Sequence, residues 1–540
     1  MRTVLATIVS PQRTLSATIG TAKDGHLAYV VTRPNGPGGN VCEGSLGITV
    51  DAVTLGSGDS LVESESAERN DTYPTRGWHS VAIDSCKTMH LSMVHVASKV
   101  RWVIEVRLFD DAFAFRYRVP GHGERRISGE ASSWRLPRAE RIWFAERPNN
   151  WKLKSYAGYW MSSTPPELST ASPQGPIQPP PVVAELSDGG YAAISEAALY
   201  EYSGMRLEAL ADGALRANFS EGEAGFELSG DILTPWRVAL ITDDLNGLVN
   251  SDIWTNLNLP PDPVLFADTT WIKLGRVAWR WWSLGTGTPS AEGEMVELAS
   301  QLGWEYSLID DGWEAWSEPW DEVARICQRA KGLAVRVLLW KDYNNVIHNP
   351  ANHYQALTQF LDACVRAGVA GVKIDFMNSE ALDKIHFQQA ALIETAKRHL
   401  VLLFHGCQKP TGESRTYPHE VTREGIRGLE LNKMDEGPIT SAHNAALPFT
   451  RFLVGHGDYT PVGFTNPGAT TWGHQLATSV LFTSPVNVLA ENPRELLTNP
   501  ALAPALDFMR SLPTVWAETI VLPSSSIGKR AFMARRSGNT

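Results

Sequence analysis

Two acidic residues stand where apolar runs of the sequence break. Asp375 ends the run 371–375, and Glu430 lies between two leucines. A pair of carboxylates at neighbouring strand ends can cleave a glycosidic bond, because one serves as nucleophile or base while the other protonates the leaving oxygen. The structural alternative for Asp375 is an ion pair with Lys373, which lies two positions earlier and so on the same side of a strand. Lys373 can also serve the chemistry by keeping Asp375 ionised.

Other polar residues follow runs of the same kind and are candidates to bind sugar hydroxyls. In the stretch LIDDGW, two adjacent carboxylates precede a tryptophan. Neighbouring residues of a strand point to opposite sides, so we expect Asp311 to face a cleft and Asp310 to cap the following helix. Lys373, His405 and Arg415 are further candidates for contacts with hydroxyls. Each of these three is equally compatible with a structural role.

These side chains can meet only if parallel strands bring their carboxyl ends together. Eight β-type runs alternate with helical patterns between residues 256 and 512, and they begin near residues 277, 304, 334, 371, 400, 427, 457 and 485. Spacings of roughly 25 to 37 residues are typical of a (β/α)8 TIM barrel. In that fold the catalytic residues stand at the carboxyl ends of different strands, which is where the candidate residues occur.

The remainder of this multidomain chain has the pattern of β-structure. Residues 1–255 contain alternating strands and turns rich in Gly and Pro, and in one run Phe113, Phe115 and Tyr117 share a face. This half is predicted to form an all-β sandwich. Residues 513–540 again have the pattern of strands. We expect them to be a short β segment, the start of a truncated C-terminal β-domain.

The composition argues against several classes of protein. A formal charge of −11 and the lack of Lys and Arg clusters argue against a nucleic-acid partner. No stretch reaches the roughly 18 apolar residues of a bilayer helix, so we expect no membrane partner. Five cysteines without a C-x-x-C pair imply neither a disulfide framework nor a zinc site. A secretory signal is unsupported, and both a periplasmic and a cytoplasmic location stay open.

Several longer motifs are more specific than these patterns. They are VAWRWWSLGTG, LIDDGW, HGCQKPTGESRTYP, TREGIRGLE and LPFTRFLVGHGDYTP, all between residues 255 and 520. Together they resemble glycoside hydrolase family 97, and ISEAALYEYSGM at 194–205 extends the resemblance weakly into the N-terminal half. That family joins an N-terminal β-sandwich to a (β/α)8 barrel and a C-terminal β-domain. The resemblance therefore implies the same architecture here.

The resemblance also implies an activity. The family contains inverting α-glucosidases and retaining α-galactosidases, and the nucleophile and general acid of the retaining members correspond to Asp375 and Glu430. The inverting members carry a glutamate base directly after the histidine of strand five, where this chain has Gly406. The resemblance thus implies an exo-acting glycosidase that releases terminal α-linked galactose from an oligosaccharide or glycoside by double displacement.

A calcium ion is implied by the same resemblance. Its ligands would be Glu196 from the sandwich with Glu424 and Glu430 from the barrel. Three carboxylates in one cleft repel one another, and a dication that prefers about six to eight oxygen ligands would neutralise them. Without the resemblance, Glu196 would be interpreted as an exposed strand residue.

Two alternatives stay open at the level of the sequence. An inverting α-glucosidase of the same family would use a base to activate water for direct displacement. A non-catalytic carbohydrate-binding protein would keep the cleft without turnover. The residues also do not separate galactose from glucose or arabinose as the sugar bound beside Asp375.

Overall fold

Antiparallel strands occupy the first half of the chain. The computed structural model describes residues 1–34, 39–346, 352, 354–434 and 436–538. The strands of this half are β1 (Thr3–Val9), β2 (Ser16–Thr21), β3 (Leu27–Thr32), β4 (Asn40–Ser45), β5 (Ile48–Val50), β6 (Val53–Leu55), β7 (Asp59–Pro74), β8 (Val81–His95), β9 (Arg101–Leu108), β10 (Ala112–Val119), β11 (Glu124–Glu130), β12 (Ser133–Trp134), β13 (Ala139–Glu146), β14 (Tyr159–Ser163), β15 (Ile177–Gln178), β16 (Val182–Leu186), β17 (Tyr191–Ala197), β18 (Met205–Ala209), β19 (Leu215–Phe219), β20 (Phe226–Ser229), β21 (Ile232–Leu233) and β22 (Trp236–Thr242).

These strands form layers that share a hydrophobic core. A large sheet has the order β14-β13-β16-β17-β22-β10-β9-β8-β7, with β21 paired to β10, and three four-stranded sheets contribute to the same core. On β10, Phe113, Phe115 and Tyr117 point into that core. Ala112 and Ala114 point the other way and pack in the cluster that includes the barrel interior. The predicted β-sandwich is confirmed, and one face of its large sheet supports the second domain.

A linker with two short helices, α1 (Leu245–Asn250) and α2 (Ile253–Asn256), leads into a parallel sheet. Its strands are β23 (Gly275–Trp279), β24 (Tyr306–Ile309), β25 (Arg336–Asp342), β26 (Gly371–Asp375), β27 (Val401–Phe404), β28 (Glu420–Arg423) and β29 (Val486–Leu489). Their order is β28-β27-β26-β25-β24-β23-β29, and every pair is parallel. This is a nearly closed TIM-like barrel.

Helices connect the barrel strands and cover the outside of the sheet. They are α3 (Trp281–Leu284), α4 (Pro289–Leu302), α5 (Pro319–Gly332), α6 (Gln355–Ala367), α7 (Leu382–Lys397), α8 (Ser441–Ala446), α9 (Trp472–Leu481), α10 (Pro493–Thr498) and α11 (Ala503–Ser511). Their ends follow local rules, as α4 shows. The Thr288 hydroxyl accepts from Ala291 N at 3.2 Å, proline begins the helix, and Gly303 ends it in the left-handed conformation.

The sixth barrel strand lies earlier in the chain than predicted. The run near residue 427 forms a 3₁₀ helix, Leu429–Lys433, and the strand is β28, whose sequence is Glu-Val-Thr-Arg. Charged residues are tolerated in this buried strand because they pair. Arg423 Nε donates to Glu420 at 2.6 Å, and the Arg423 guanidinium lies 3.6 Å from Glu413. Hydrophobic alternation therefore indicated the wrong segment.

At the position predicted for the seventh strand, the described residues form no regular strand. The segment 457–461 instead bridges the two edge strands. Asp458 N donates to Arg423 O at 3.0 Å, and Ala490 N donates to a carbonyl of the segment at 3.0 Å. Thr460 has a φ of 53°, which a strand does not allow. In the part of the chain that the structure describes, the barrel is therefore built from seven regular strands and one irregular segment.

A β-hairpin packs on the junction between the two domains. It consists of β30 (Glu518–Val521) and β31 (Met533–Arg536). Thr519 Oγ1 donates to Trp78 O in the sandwich at 2.6 Å, and Arg535 donates to Val480 O in the barrel at 2.7 Å. The predicted C-terminal β segment is thus present and short. No described helix is long and apolar enough to cross a membrane.

Candidate active site

Six polar or aromatic side chains meet at the carboxyl-terminal mouth of the barrel. They are Trp279, Asp310, Trp340, Lys373, Asp375 and His405. Residues two apart on a strand share a face. Leu308 and Leu403, which lie two positions before Asp310 and His405, point into the barrel core. Four of the six end or follow strands β23, β24, β26 and β27, while Trp340 and Lys373 lie two positions before the ends of β25 and β26. This is where a barrel carries its catalytic residues.

Asp310 belongs to this group and Asp311 does not. Asp310 is 7% exposed, and its Oδ2 accepts from Trp279 Nε1 at 2.7 Å and from Lys373 Nζ at 3.2 Å. Asp311 is exposed to solvent. Because Leu308 faces inward, the alternation of the strand puts Asp310 inward as well. The structure therefore brings Asp310, and not Asp311 as we expected, into the group of residues at the barrel mouth; sugar binding by either residue stays a prediction.

Asp375 is oriented by two hydrogen bonds at the end of β26. Its Oδ2 accepts from Trp340 Nε1 at 3.1 Å, and its Oδ1 accepts from the N–H of Phe376 at 2.7 Å. Lys373 forms its ion pair with Asp310 rather than with Asp375. Burial lowers the pKa of Lys373, but Asp310, Glu430 and Asp375 outweigh this and raise it. Lys373 is therefore a permanent cation beside Asp375.

Gly406 leaves the space into which Asp375 and the following residue fit. Its φ is +49°, and a Cβ built there would lie 2.5 Å from Phe376 N and 2.9 Å from Asp375 Oδ1. Contacts this short force the backbone apart, and a side chain at a positive φ adds strain. A glutamate directly after His405 is thus incompatible with the position that Asp375 has in this structure.

His405 lies between two acids. Its Nε2 is 2.7 Å from Asp458 Oδ2, and its Nδ1 is 3.8 Å from Glu424 Oε2. Burial and Lys373 lower the pKa of His405, but Glu424 and Asp458 outweigh them and raise it to about 9. The ring is therefore an imidazolium at neutral pH. Its contact with a substrate stays a prediction, because both ring nitrogens already face carboxylates.

Glu424 and Glu430 approach His405 closely enough to form one cluster. One ligand atom from each residue lies within 4.8 Å of the other two. Burial raises the pKa of Glu430 to about 7, Lys373 and His405 oppose the rise, and Glu424 and Asp375 reinforce it. Among the described residues, the Glu430 carboxylate has no hydrogen-bond partner. It is therefore available to a substrate or an ion.

The cluster fits a hard divalent cation in part. The acids near it are Asp310, Asp375, Glu424, Glu430 and Asp458, and the cations are Lys373 and His405. This excess of negative charge would be offset by a dication. Glu424 and Glu430 offer the carboxylate oxygens that Ca²⁺ prefers, whereas an imidazole nitrogen is not such a ligand. Water or backbone carbonyls would have to complete the coordination.

Glu196 is not part of this cluster. It is fully buried on β17, where its Oε2 accepts from Arg237 at 2.8 Å and its Oε1 accepts from Lys409 at 2.5 Å. Met205 N donates to the same carboxylate at 2.9 Å. Lys409 belongs to the loop after β27, so this ion pair ties the sandwich to the barrel. The expected calcium ligands are thereby reduced to Glu424 and Glu430.

Arg415 also lies in the interface between the domains. Its guanidinium donates to Asn256 O at 3.3 Å and to Asn258 O at 3.2 Å. It also lies 3.6 Å from the ring centroid of Tyr73 and 3.6 Å from Asp84. The loop that carries it turns back toward the sandwich. The geometry thus assigns Arg415 to domain packing, and it does not bring this side chain to the six residues of the barrel mouth.

Three residues of the site were not singled out from the sequence. Trp279 and Trp340 end apolar runs in the same way as Asp375, so the rule that strand ends carry function could have found them. Asp458 lies in a segment whose strand pattern is weak and whose structure is irregular. No local signal marks that residue.

Comparison with known proteins agrees with this architecture. The family model described as Glycosyl-hydrolase 97 N-terminal matches residues 8–260, and the model described as Glycoside hydrolase 97 matches residues 284–426. Among solved structures, a glycoside hydrolase family 97 enzyme from Pseudoalteromonas sp. strain K8, in complex with acarbose, superposes with a TM-score of 0.86 at 22% identity. The alignment covers 99% of this chain and 87% of that one. At this identity the likeness shows the fold.

Two relatives are similar over nearly the whole chain. The probable retaining alpha-galactosidase of Streptomyces bingchenggensis is 30% identical over 96% of this chain and 79% of its own length. The retaining alpha-galactosidase of Bacteroides thetaiotaomicron is 25% identical over 99% of this chain and 86% of its own length. With both domains matched and a barrel mouth rich in paired acids, the chain belongs to glycoside hydrolase family 97 and is a glycosidase.

Proposed function

We propose that this chain is an exo-acting retaining α-galactosidase that cleaves oligosaccharides or glycosides by double displacement. One observation carries the proposal: Asp375 stands at the barrel mouth in the space that Gly406 leaves open. A carboxylate after His405 has no room there, so the base required for direct displacement by water is missing from that position. One relative named above is described as a retaining α-galactosidase and the other as a probable retaining α-galactosidase, which supports galactose as the sugar released.

Two carboxyl groups carry the chemistry. In the first step, an oxygen of Asp375 bonds to the anomeric carbon as the bond from that carbon to the glycosidic oxygen breaks, and Glu430 gives its proton to that oxygen. In the second step, Glu430 accepts a proton from water, the water oxygen bonds to the anomeric carbon, and the ester bond to Asp375 breaks. The pKa of Glu430, raised to about 7 chiefly by burial, favours the protonated form that the first step requires.

Neighbouring side chains prepare the nucleophile and the sugar. The positive charge of Lys373 favours the ionised form of Asp375, and the Trp340 N–H fixes the direction of the carboxylate. Asp310, held by Trp279 and Lys373, keeps acceptor capacity for a sugar hydroxyl. These groups are built on strand ends, so they hold their positions before substrate binds.

Replacing Trp340 by phenylalanine is expected to lower kcat about 10- to 100-fold with little change in KM. The variant keeps an aromatic ring but loses a charge-assisted hydrogen bond to Asp375, worth about 1.5 to 3 kcal/mol. Trp316→Phe is the matched control, because that indole N–H donates to Gly287 O and not to a carboxylate. Steady-state kinetics on a nitrophenyl α-galactoside measure both variants. An unchanged kcat for Trp340→Phe contradicts the orienting role.

The anomer of the first product tests the proposed mechanism. Double displacement retains configuration, so proton NMR within minutes of mixing is expected to show α-galactose before it mutarotates. β-Glucose as the first product of an α-glucoside indicates instead the inverting α-glucosidase. A panel of nitrophenyl α- and β-glycosides, including arabinosides and glucosides, identifies the preferred sugar. Calorimetric sugar binding without turnover of any member of the panel identifies a non-catalytic carbohydrate-binding protein.

We also propose that activity depends on Ca²⁺, held by Glu424 and Glu430 with His405 beside them. Bound there, the ion would neutralise the facing carboxylates and polarise groups of the sugar. The proposal is supported by the excess of acids over cations at the barrel mouth. Glu196 is left out because Arg237 and Lys409 already neutralise it.

Removal of calcium is expected to lower turnover at least tenfold and to lower the melting temperature by a few degrees, since a ligand that binds only the native state stabilises it. Added Ca²⁺ should restore both quantities. The rise in melting temperature on addition of Ca²⁺ should be absent in Glu424→Gln. It should persist in Glu196→Gln, even though the calcium-free melting temperature of that variant is lower than that of wild type. A shift that is lost only in Glu196→Gln contradicts the reduced ligand set.

A further inference from the structure

A large cavity lies between the sandwich and the barrel, and none of the active-site residues lines it. Its volume is about 870 Å³, which is within the range of small-molecule sites and sufficient for a short oligosaccharide. The large sheet, the linker after α2, helix α7 and the loop after β27 all contribute to its walls. We call it the interdomain cavity. Its outer end opens to solvent beside Leu259, which is 72% exposed.

Four arginines from three strands of the large sheet form one wall of the interdomain cavity. They are Arg69 on β7, Arg107 on β9, and Arg116 and Arg118 on β10. Arg116 and Arg118 follow Ala112 and Ala114 at every second position, so they share the face that is turned to the barrel. The guanidinium groups of Arg107 and Arg116 lie 4.8 and 4.4 Å from the ring centroid of Trp236.

The carboxylates on this wall do not balance its arginines. Arg116 and Arg118 share a single partner, Glu105, at 2.6 and 3.0 Å, while Arg69 pairs with Asp84 at 2.5 Å. Arg107 has no carboxylate within ion-pair distance among the described residues, and its guanidinium donates to Asn256 O at 3.1 Å. The acids that line the rim, namely Glu124, Glu201, Glu227 and Asp231, are all exposed to solvent.

Arg107, which lacks a carboxylate at ion-pair distance among the described residues, points to an anionic ligand. Burial lowers the pKa of its guanidinium more than the nearby Asp84 raises it, so a directly bound anion would stabilise this charge. A guanidinium presents a planar fork of donors that matches a carboxylate or a phosphate. An anion bound beside Arg107 and Arg116, which both lie over Trp236, would supply the missing partner.

The opposite wall suits a sugar. Tyr200 and Tyr417 contribute aromatic rings, whose centroids are 6.1 Å apart, and aromatic faces pack well against the apolar side of sugar rings. Gln389 Oε1 is buried without a hydrogen-bond partner among the described residues, and it can accept from a hydroxyl. We propose that the interdomain cavity is a second carbohydrate site, specific for an acidic sugar whose anionic group binds Arg107 and whose ring packs on the tyrosines.

Calorimetry with the full chain tests this site. Tri-galacturonate is the probe, inorganic phosphate tests the anion alone, and galactotriose tests the neutral sugar. The wild-type protein is expected to bind tri-galacturonate at least about tenfold more tightly than either, because only this probe offers both a carboxylate and sugar rings. Saturating galactose, a ligand for the active site, should not displace it. Failure of tri-galacturonate to bind, or equal binding of galactotriose, overturns the proposal.

Two variants locate the binding. Arg107→Gln is expected to weaken tri-galacturonate binding more than tenfold while hydrolysis of a nitrophenyl α-galactoside stays within error, since Arg107 lies outside the active site. The ligand-free melting temperature is expected to fall by a few degrees at most, because the hydrogen bond to Asn256 O and the contact with Trp236 are lost. Arg126→Gln is the matched control, because Arg126 is exposed on β11 and does not line the cavity. If Arg107→Gln binds the probe as tightly as Arg126→Gln does, the site lies elsewhere. Hydrolysis and tri-galacturonate binding are measured in separate experiments. If the proposed galactosidase activity is absent, the expected binding results for the two variants are therefore unchanged.

Discussion

Replacing Asp375 by asparagine is expected to lower kcat on a nitrophenyl α-galactoside by about 10⁴-fold or more. The amide has nearly the same size, and its single carbonyl oxygen can keep one of the two hydrogen bonds, from Trp340 or from the N–H of Phe376, but it does not form a glycosyl ester. Nitrophenolate leaves with little acid assistance, so the loss reports on the nucleophile rather than on Glu430. Steady-state kinetics of the two proteins at equal purity measure the effect.

Two further variants show whether that loss comes from the chemistry. Asp311→Asn changes the exposed neighbour of Asp310 and is expected to stay within about twofold of wild type. In Asp375→Gly, azide can enter the vacated space and bond to the anomeric carbon, so the expected product is β-galactosyl azide, of opposite configuration to the substrate. Turnover of Asp375→Asn within tenfold of wild type would remove Asp375 from the nucleophile role.

The general position of the site follows from local sequence patterns. Five short apolar runs separated by helical patterns predicted β23 to β27, and residues that end such runs must meet where parallel strands end. This reasoning placed Asp375 and His405 at the barrel mouth, where the structure has them. It chose Asp311 over Asp310, whereas the structure brings Asp310 to the barrel mouth. All four residues of β24 are buried. The sequence of this strand therefore shows no alternation of apolar and polar residues that would mark the side facing the barrel interior.

Contacts between distant parts of the chain explain what sequence patterns missed. Glu196 and Lys409 are separated by 213 residues, and only the packing of sandwich on barrel brings them together. Arg415 likewise finds its partners in the linker and the sandwich. Strand β28 contains charged residues that are stabilised by one another, which local hydrophobicity does not reveal. A resemblance to a family predicts which residue types occupy a site. It does not predict the hydrogen-bond and ion-pair partners that decide the role of each residue, and only the structure shows these.

Replacing Glu430 by glutamine is expected to have an effect that depends on the leaving group. For an unactivated galactosyl disaccharide, kcat/KM should fall about 10²- to 10⁴-fold, because the glycosidic oxygen must be protonated as its bond breaks. For dinitrophenyl α-galactoside, the first step should slow less than about tenfold, since dinitrophenolate needs no proton. Hydrolysis of the ester with Asp375 then becomes slow, so stopped-flow traces should show a burst of about one dinitrophenolate per enzyme.

Glu430 is also a proposed calcium ligand, and the matched variant Glu424→Gln separates the two roles. Glu424 lies in the same cluster, and Gly406 N donates to its carboxylate at 2.7 Å, but it has no assigned part in proton transfer. Loss of an ion should reduce turnover of both substrates by a similar factor and should produce no burst. The ratio of the two kcat/KM values is thus expected to change in Glu430→Gln and to stay near that of wild type in Glu424→Gln. Equal ratios in both variants would leave Glu430 as a ligand and assign the acid to another group.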